Sequence, residues 1–121
     1  MTRWLLICAA FLAAGPVFAE VPDGASCEAA GRAVELADTL PTNLLLSIGL
    51  VESGRSDPLS GRSAPWPWTV NADGTGRYFA SKQDAEAFVR LAQASGARDI
   101  DVGCFQVSLT YHPNAFASLD D

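Results

Sequence analysis

The run Leu44-Leu45-Leu46-Ser47-Ile48-Gly49-Leu50-Val51 is almost wholly apolar and is followed at once by Glu52-Ser53-Gly54-Arg55. Its periodicity predicts a helix, with Leu45, Ile48 and Glu52 at i, i+3 and i+7 on one face. The carboxylate is therefore expected to point where the apolar side chains point. Gly54 is a natural stop signal, which places Glu52 in the last helical turn. An apolar surround and the negative end of the helix dipole both disfavour an ionised carboxylate. A carboxyl held protonated is what a general acid requires. The alternative is a solvated helix-end glutamate, paired with a neighbour such as Arg55.

The chain has 121 residues, which suggests one domain. Residues 1–19 read as a secretory signal peptide: Arg3 is the positive start, Trp4 to Ala14 the apolar core, and Val17-Phe18-Ala19 the cleavage signal. The apolar run is too short to span a bilayer, so no membrane anchor is expected after cleavage. Residues 20–121 then carry 14 acidic and 7 basic side chains, Arg3 having left with the leader. That acidic balance argues against nucleic acid and anionic membrane surfaces as partners. It is neutral towards carbohydrate.

Export also bears on Cys27 and Cys104, the two cysteines that remain. Disulfides persist outside the cytoplasm, and a bridge between these two would close nearly the whole domain. Two buried free thiols are the alternative.

A first helix is expected from Ser26 to about Thr39, with Cys27, Ala30, Val34 and Ala37 facing inward. Leu40-Pro41-Thr42 interrupts, and Thr42 or Asn43 can cap the helix that carries Glu52. Residues 55–64 are rich in Ser, Gly, Asp and Pro and read as a loop, a candidate cleft rim. Residues 69–71 and 77–79 flank a glycine-containing turn and predict a small β-hairpin. Ser81 begins a third helix whose inward face is Ala85, Phe88, Val89 and Ala92, with Asp84 completing a capping box. The segment Arg98 to Ser108 opens with alternation, passes through a glycine turn and is expected to lead into another helix.

Few chemistries fit this inventory. One histidine, His112, and two distant cysteines make no metal-ligand set, and no metal or organic cofactor is expected. A serine hydrolase lacks its nucleophile-elbow motif, and Gly74-Thr75-Gly76 lies in a hairpin turn rather than between strand and helix. Trp66 and Trp68 alternate along an extended segment and share a face. They fit either sugar stacking in a groove or plain core packing.

Taken together, these residues resemble the soluble lytic transglycosylases of the goose-lysozyme-like group, which cut peptidoglycan. Glu52-Ser53-Gly54 resembles the catalytic Glu-Ser motif of that family, and Gly103-Cys104-Phe105-Gln106-Val107 its Gly-Leu-Met-Gln-Ile motif. Residues 65–71, Pro-Trp-Pro-Trp-Thr-Val-Asn, and the wording Asp101-Val102-Gly103-Cys104-Phe105-Gln106 resemble a secreted proteobacterial branch. The similarity runs from about Cys27 to Phe116.

The resemblance implies a lysozyme-like α+β fold, predominantly helical with a small hairpin, in the periplasm. It implies Glu52 as the single acid and base cleaving the β-1,4 bond between N-acetylmuramic acid and N-acetylglucosamine. The product is then a 1,6-anhydromuramoyl end, one of the exceptions to the two-carboxylate scheme. Ser53 would support Glu52 or the substrate, Gln106 would contact the sugar, and Phe105, in place of methionine, would form an apolar wall. Trp66 and Trp68 would join the glycan-binding surface. The partner is a peptidoglycan strand, and the role fits wall turnover or local opening of the wall for a cell-envelope secretion assembly. The family continues with several helices beyond this motif and supplies a tyrosine facing the glutamate, whereas 15 residues follow Gln106. Tyr111 follows too closely to be that tyrosine, so a domain short at its C-terminus is expected. The competing readings are an inactive peptidoglycan-binding or scaffold protein and a hydrolytic muramidase.

Overall fold

The computed structural model describes residues 23–56, 58 and 60–120. The expected signal peptide, residues 1–19, lies outside them. The described chain is an α+β domain with three helices, a four-stranded antiparallel sheet and a two-stranded ribbon.

Helix α1 (Asp23–Ala37) and helix α2 (Leu44–Ser53) pack against each other. The buried residues of α1 are Cys27, Gly31 and Glu35, while Ala30, Val34 and Ala37 are exposed. The expected inward stripe is thus rotated. Two features explain it. Gly31 lets the helices approach until a Cβ there would lie 3.3 Å from Leu45 Cβ. Glu35 turns inward because its carboxylate accepts from Asn43 N at 2.9 Å and Leu45 N at 2.7 Å. Helix starts leave such N–H groups without intrahelical partners. Asn43 sits at the N-cap with φ 65° and makes no side-chain cap, so Glu35 does that work from the neighbouring helix.

Helix α2 ends by turning straight into strand β1 (Gly54–Ser56), which pairs with β2 (Ser63–Pro65). Part of the expected loop is therefore a ribbon. Gly54 has φ −56° and ψ 122°, an extended backbone rather than a left-handed cap. What demands glycine here is space: a Cβ would lie 2.2 Å from the Leu50 carbonyl oxygen. Leu44, Ile48 and Val51 of α2 remain on the surface, Val51 at 84% exposure.

Strands β3 (Thr69–Ala72) and β4 (Thr75–Tyr78) form the expected hairpin. Its turn is Asp73-Gly74, both with positive φ, as a two-residue hairpin turn requires. Helix α3 (Lys82–Ala94) starts as predicted, with Ser81 Oγ accepting from Asp84 N and donating to Asp84 Oδ2. It ends at Gly96, φ 87°, where Ala97 N reaches back to Ala92 O. Strands β5 (Ile100–Val102) and β6 (Val107–Ser108) complete the sheet in the order β4-β3-β5-β6. The segment after Gly103 is therefore a hairpin, not the approach to a helix.

Alternation splits the sheet into two chemistries. Val70 and Ile100 are buried with Ala85, Val89 and Ala92 of α3, and Ala72 and Val102 pack against that cluster. Thr69, Asn71 and Asp101 occupy the alternate positions and face the other way.

The disulfide Cys27–Cys104 joins α1 to the β5–β6 turn, with Cα atoms 5.8 Å apart and the two residues 77 positions apart in sequence. Closing such a loop stabilises the fold by about 4 kcal/mol in the chain-entropy model.

Candidate functional site

A polar groove of about 370 Å³ lies between the end of α2 and the polar face of the sheet. Its wall carries Glu52, and its floor is built from Thr69 and Asn71 of β3, Gly76, Arg77 and Tyr78 of β4, and Asp101 of β5. Gln106, from the β5–β6 turn, closes one side. Gly76, Asn71, Asp101 and Ser108 form one cross-strand row, so the floor is a continuous hydrogen-bonded surface.

Glu52 occupies the last turn of α2, as expected, but its side chain is exposed. The apolar surround is incomplete because Ile48, on its face, is itself 38% exposed. Arg55 does not pair with it; the Arg55 guanidinium stacks 4.5 Å from the Trp66 ring centroid. Among the described residues the carboxylates of Glu52 and Asp101 have neither an ion-pair nor a hydrogen-bond partner.

Gln106 is held in an unusual backbone conformation, φ 47°. Its side chain folds back so that Nε2 donates to Thr69 O at 3.2 Å and Gly103 O at 3.0 Å. Both amide hydrogens are consumed, so only Oε1 is left to meet a ligand, and only as an acceptor. Asn71 adds a buried Oδ1 with no donor among the described residues.

Ser53 is fully buried and does not meet the groove. Its Oγ donates to Cys104 O at 2.7 Å, approaches Gly49 O at 3.2 Å and accepts from Trp66 N at 3.1 Å. It therefore fastens the Glu52 helix to the Gln106 turn rather than touching a substrate. Phe105 also turns inward. Its ring edge would lie 3.2 Å from a Cβ at Gly49 and 3.5 Å from one at Gly31, so it fills a notch between two helical glycines. That packing replaces the expected apolar groove wall.

The tryptophans are likewise away from the groove. Trp66 Nε1 donates to Phe79 O at 2.7 Å. Trp68 packs against the α3 core and borders a separate apolar cavity of about 160 Å³ with Phe116 and Leu119. Core packing is the reading the contacts of Trp68 support, while Trp66 is half-buried between Phe79 and Arg55.

Of the expected site residues, the structure brings together Glu52 and Gln106. It adds Asp101 and Asn71, which the motifs contained without implying a role for them, and Tyr78 and Arg77, which lie outside the motifs. Alternation along 69–72 and 100–102 was the available signal, since it puts Thr69, Asn71 and Asp101 opposite the apolar positions. Tyr78 also braces the wall, its hydroxyl donating to Gly54 O at 2.8 Å. Compared with protein-family models, curated proteins and solved structures, the chain matches none.

Proposed function

We propose that this protein is a lytic transglycosylase with a lysozyme-like fold, exported to the periplasm, and that its groove takes a peptidoglycan strand. The observation that carries the reading is the placing of Glu52 and Gln106 on one open, polar groove beside a rigid sheet. Glu52 supplies a proton to the glycosidic oxygen between N-acetylmuramic acid and N-acetylglucosamine. The C4–O bond of the leaving sugar stays intact while the muramoyl C1–O bond breaks. The muramoyl C6 oxygen then bonds to C1, and its proton returns to Glu52, giving the 1,6-anhydro end without water. A general acid this exposed depends on its substrate for desolvation, and a strand lying in the groove covers Glu52. Acceptors at Gln106 Oε1 suit the hydroxyl and amide donors of amino sugars. Wall turnover and service to a secretion assembly both use this chemistry.

A second reading, hydrolytic muramidase, is favoured by Asp101, because a second carboxylate in the groove could activate water. A binding or scaffold protein without turnover is the reading from outside the enzymes.

Incubating the mature protein with purified sacculi and analysing released fragments by mass spectrometry separates the three. Anhydro-ended fragments are expected. Reducing ends would establish the hydrolase, and binding without release would establish the scaffold. Glu52→Gln is expected to abolish release with the fold intact; full activity in that variant removes Glu52 from the mechanism.

A further inference from the structure

We propose that Asp101 is a second catalytic carboxylate of this groove, one that opposes the positive charge developing at the anomeric carbon. The inference rests on the glycan-cleaving reading above and gives a role to a residue for which the family resemblance implies none.

Three observations converge on Asp101. The first is direction: Ile100 is buried against α3 and Val102 packs on the same cluster, so Asp101 between them faces the groove. The second is rigidity. Strand β5 is hydrogen-bonded to β3 on one side and β6 on the other, with Asn71 and Ser108 directly across from Asp101. Sites on such elements hold their geometry better than sites on loops.

The third is local polarity. Asp101 is half-buried and, among the described residues, unpaired. Arg77 is the one cation among the groove's described lining residues. Its guanidinium lies 5.1 Å from the Phe88 ring centroid, a contact on the α3 side. The neutral amides do not compensate the carboxylate either. Gln106 has spent its donors on Thr69 and Gly103, and Asn71 brings a buried oxygen that no donor reaches. On the groove side Asp101 thus lies beside acceptor oxygens and has no ion-pair partner among the described residues, an arrangement that favours a cation over a neutral sugar.

Such a cation arises transiently in the proposed reaction. As the C1–O bond breaks, its electron pair leaves with the oxygen, which takes the proton from Glu52. Positive charge then spreads over C1 and the ring oxygen. Asp101 forms no bond and moves no proton; its charge stabilises that state until the C6 oxygen closes on C1. The two carboxylates divide the labour, Glu52 exchanging the proton and Asp101 holding the charge.

Calorimetric titration of the full mature protein tests this with two probes: tri-N-acetylchitotriose, and the same trisaccharide carrying a basic nitrogen in one ring. The wild type is expected to bind the cationic probe about a hundredfold more tightly than the neutral one. Asp101→Asn is expected to lose that preference while binding the neutral probe within about twofold of wild type, and to lower turnover of sacculi about a hundredfold at unchanged KM. Asp101→Glu should recover part of both. In the wild type the preference should shrink as salt is raised. Asp101→Asn keeping its preference and turnover overturns the proposal, as does equal loss of both probes, Asp101→Glu no better than Asp101→Asn, or a preference indifferent to salt. If the wild type binds neither probe, the glycan reading itself falls, and that outcome is distinct from a failure of Asp101 alone.

Discussion

The Tyr78 hydroxyl donates to the Gly54 carbonyl at 2.8 Å, tying strand β4 to the residue that ends the Glu52 helix. Tyr78 is 50% exposed, so water can replace much of this bond's energy when it is lost. Tyr78→Phe is therefore expected to cost only about 0.5 kcal/mol in stability. The groove wall, however, loses its brace to the floor. Turnover of sacculi should fall about tenfold, since small misplacements of a catalytic group are felt strongly. Urea denaturation beside fragment release measures the two effects separately. A loss of activity no larger than the loss of stability would make the bond merely structural.

Much of this arrangement is legible in the sequence wherever a local signal and burial agree. Helix α3 has its capping box at Ser81 and its stripe at Ala85, Phe88, Val89 and Ala92, and both appear in the structure. The Asp73-Gly74 turn and the Cys27–Cys104 bridge follow from residue types with few alternatives. Helix α1 defeats the same reasoning. A glutamate is ordinarily an outward residue, yet Glu35 is buried because two N–H groups of the next helix need an acceptor. No periodicity announces a partner eight or ten residues away. The short strands β1, β2 and β6 are similarly silent, since Gly-Arg-Ser, Ser-Ala-Pro and Val-Ser are too short to carry a pattern. Asp101 and Asn71 were readable as one face, but only the sheet order brings that face to Glu52.

The Glu35 cap leads to a second expectation. Glu35→Ala removes the acceptor for Asn43 N and Leu45 N and leaves both N–H groups without their partner. The buried carboxylate has its own desolvation cost, which offsets part of the loss. The net effect should be about 2 kcal/mol of destabilisation. Glu35→Gln keeps one carbonyl oxygen and is expected to cost about half as much. Chemical denaturation should show a lower midpoint at unchanged slope, the sign of altered stability alone. Equal stability of the alanine variant and wild type would contradict the cap.

Packing between α2 and β2 makes Gly49 another sensitive point. A Cβ there would lie 2.9 Å from Pro65 Cγ and 3.2 Å from the Phe105 ring. Alanine is the better helix former by about 1 kcal/mol, so propensity alone predicts stabilisation. Overpacking of a filled site acts the other way by about 1–3 kcal/mol, and we expect it to win. Gly49→Ala should lower the melting temperature by several degrees. It should also disturb Phe105, whose neighbour Gln106 lines the groove, so sugar binding should weaken alongside.

The disulfide anchors the same turn. Mature protein denatured without reductant should show no free thiol. Cys104→Ser should lower stability by about 4 kcal/mol at most, since the bridge mainly restricts the unfolded chain. Ser53 Oγ still holds the Cys104 carbonyl in that variant, and Gln106 Nε2 and Gly103 N still reach Thr69 O, so the turn keeps its other fastenings. Loss of the bridge is therefore expected to reduce stability much more than it reduces sugar affinity in the fraction that remains folded.

Gln106 offers the sharpest separation of structure from function. Its φ of 47° is a conformation in which an L side chain is strained by about 1–2 kcal/mol. The two hydrogen bonds from Nε2 offset that strain. Gln106→Ala keeps the strain and loses the bonds, so it should destabilise by about 2 kcal/mol. Gln106→Gly loses the bonds but also the strain, and should fall within about 0.5 kcal/mol of wild type. Both variants lack Oε1, so both should lose affinity for tri-N-acetylchitotriose by a similar factor. Thermal denaturation and calorimetry on the pair then read different quantities. A glycine variant that is stable but fails to bind would place Gln106 on the ligand, with its backbone strain maintained for the groove. A glycine variant that binds like wild type would reduce Gln106 to a turn residue.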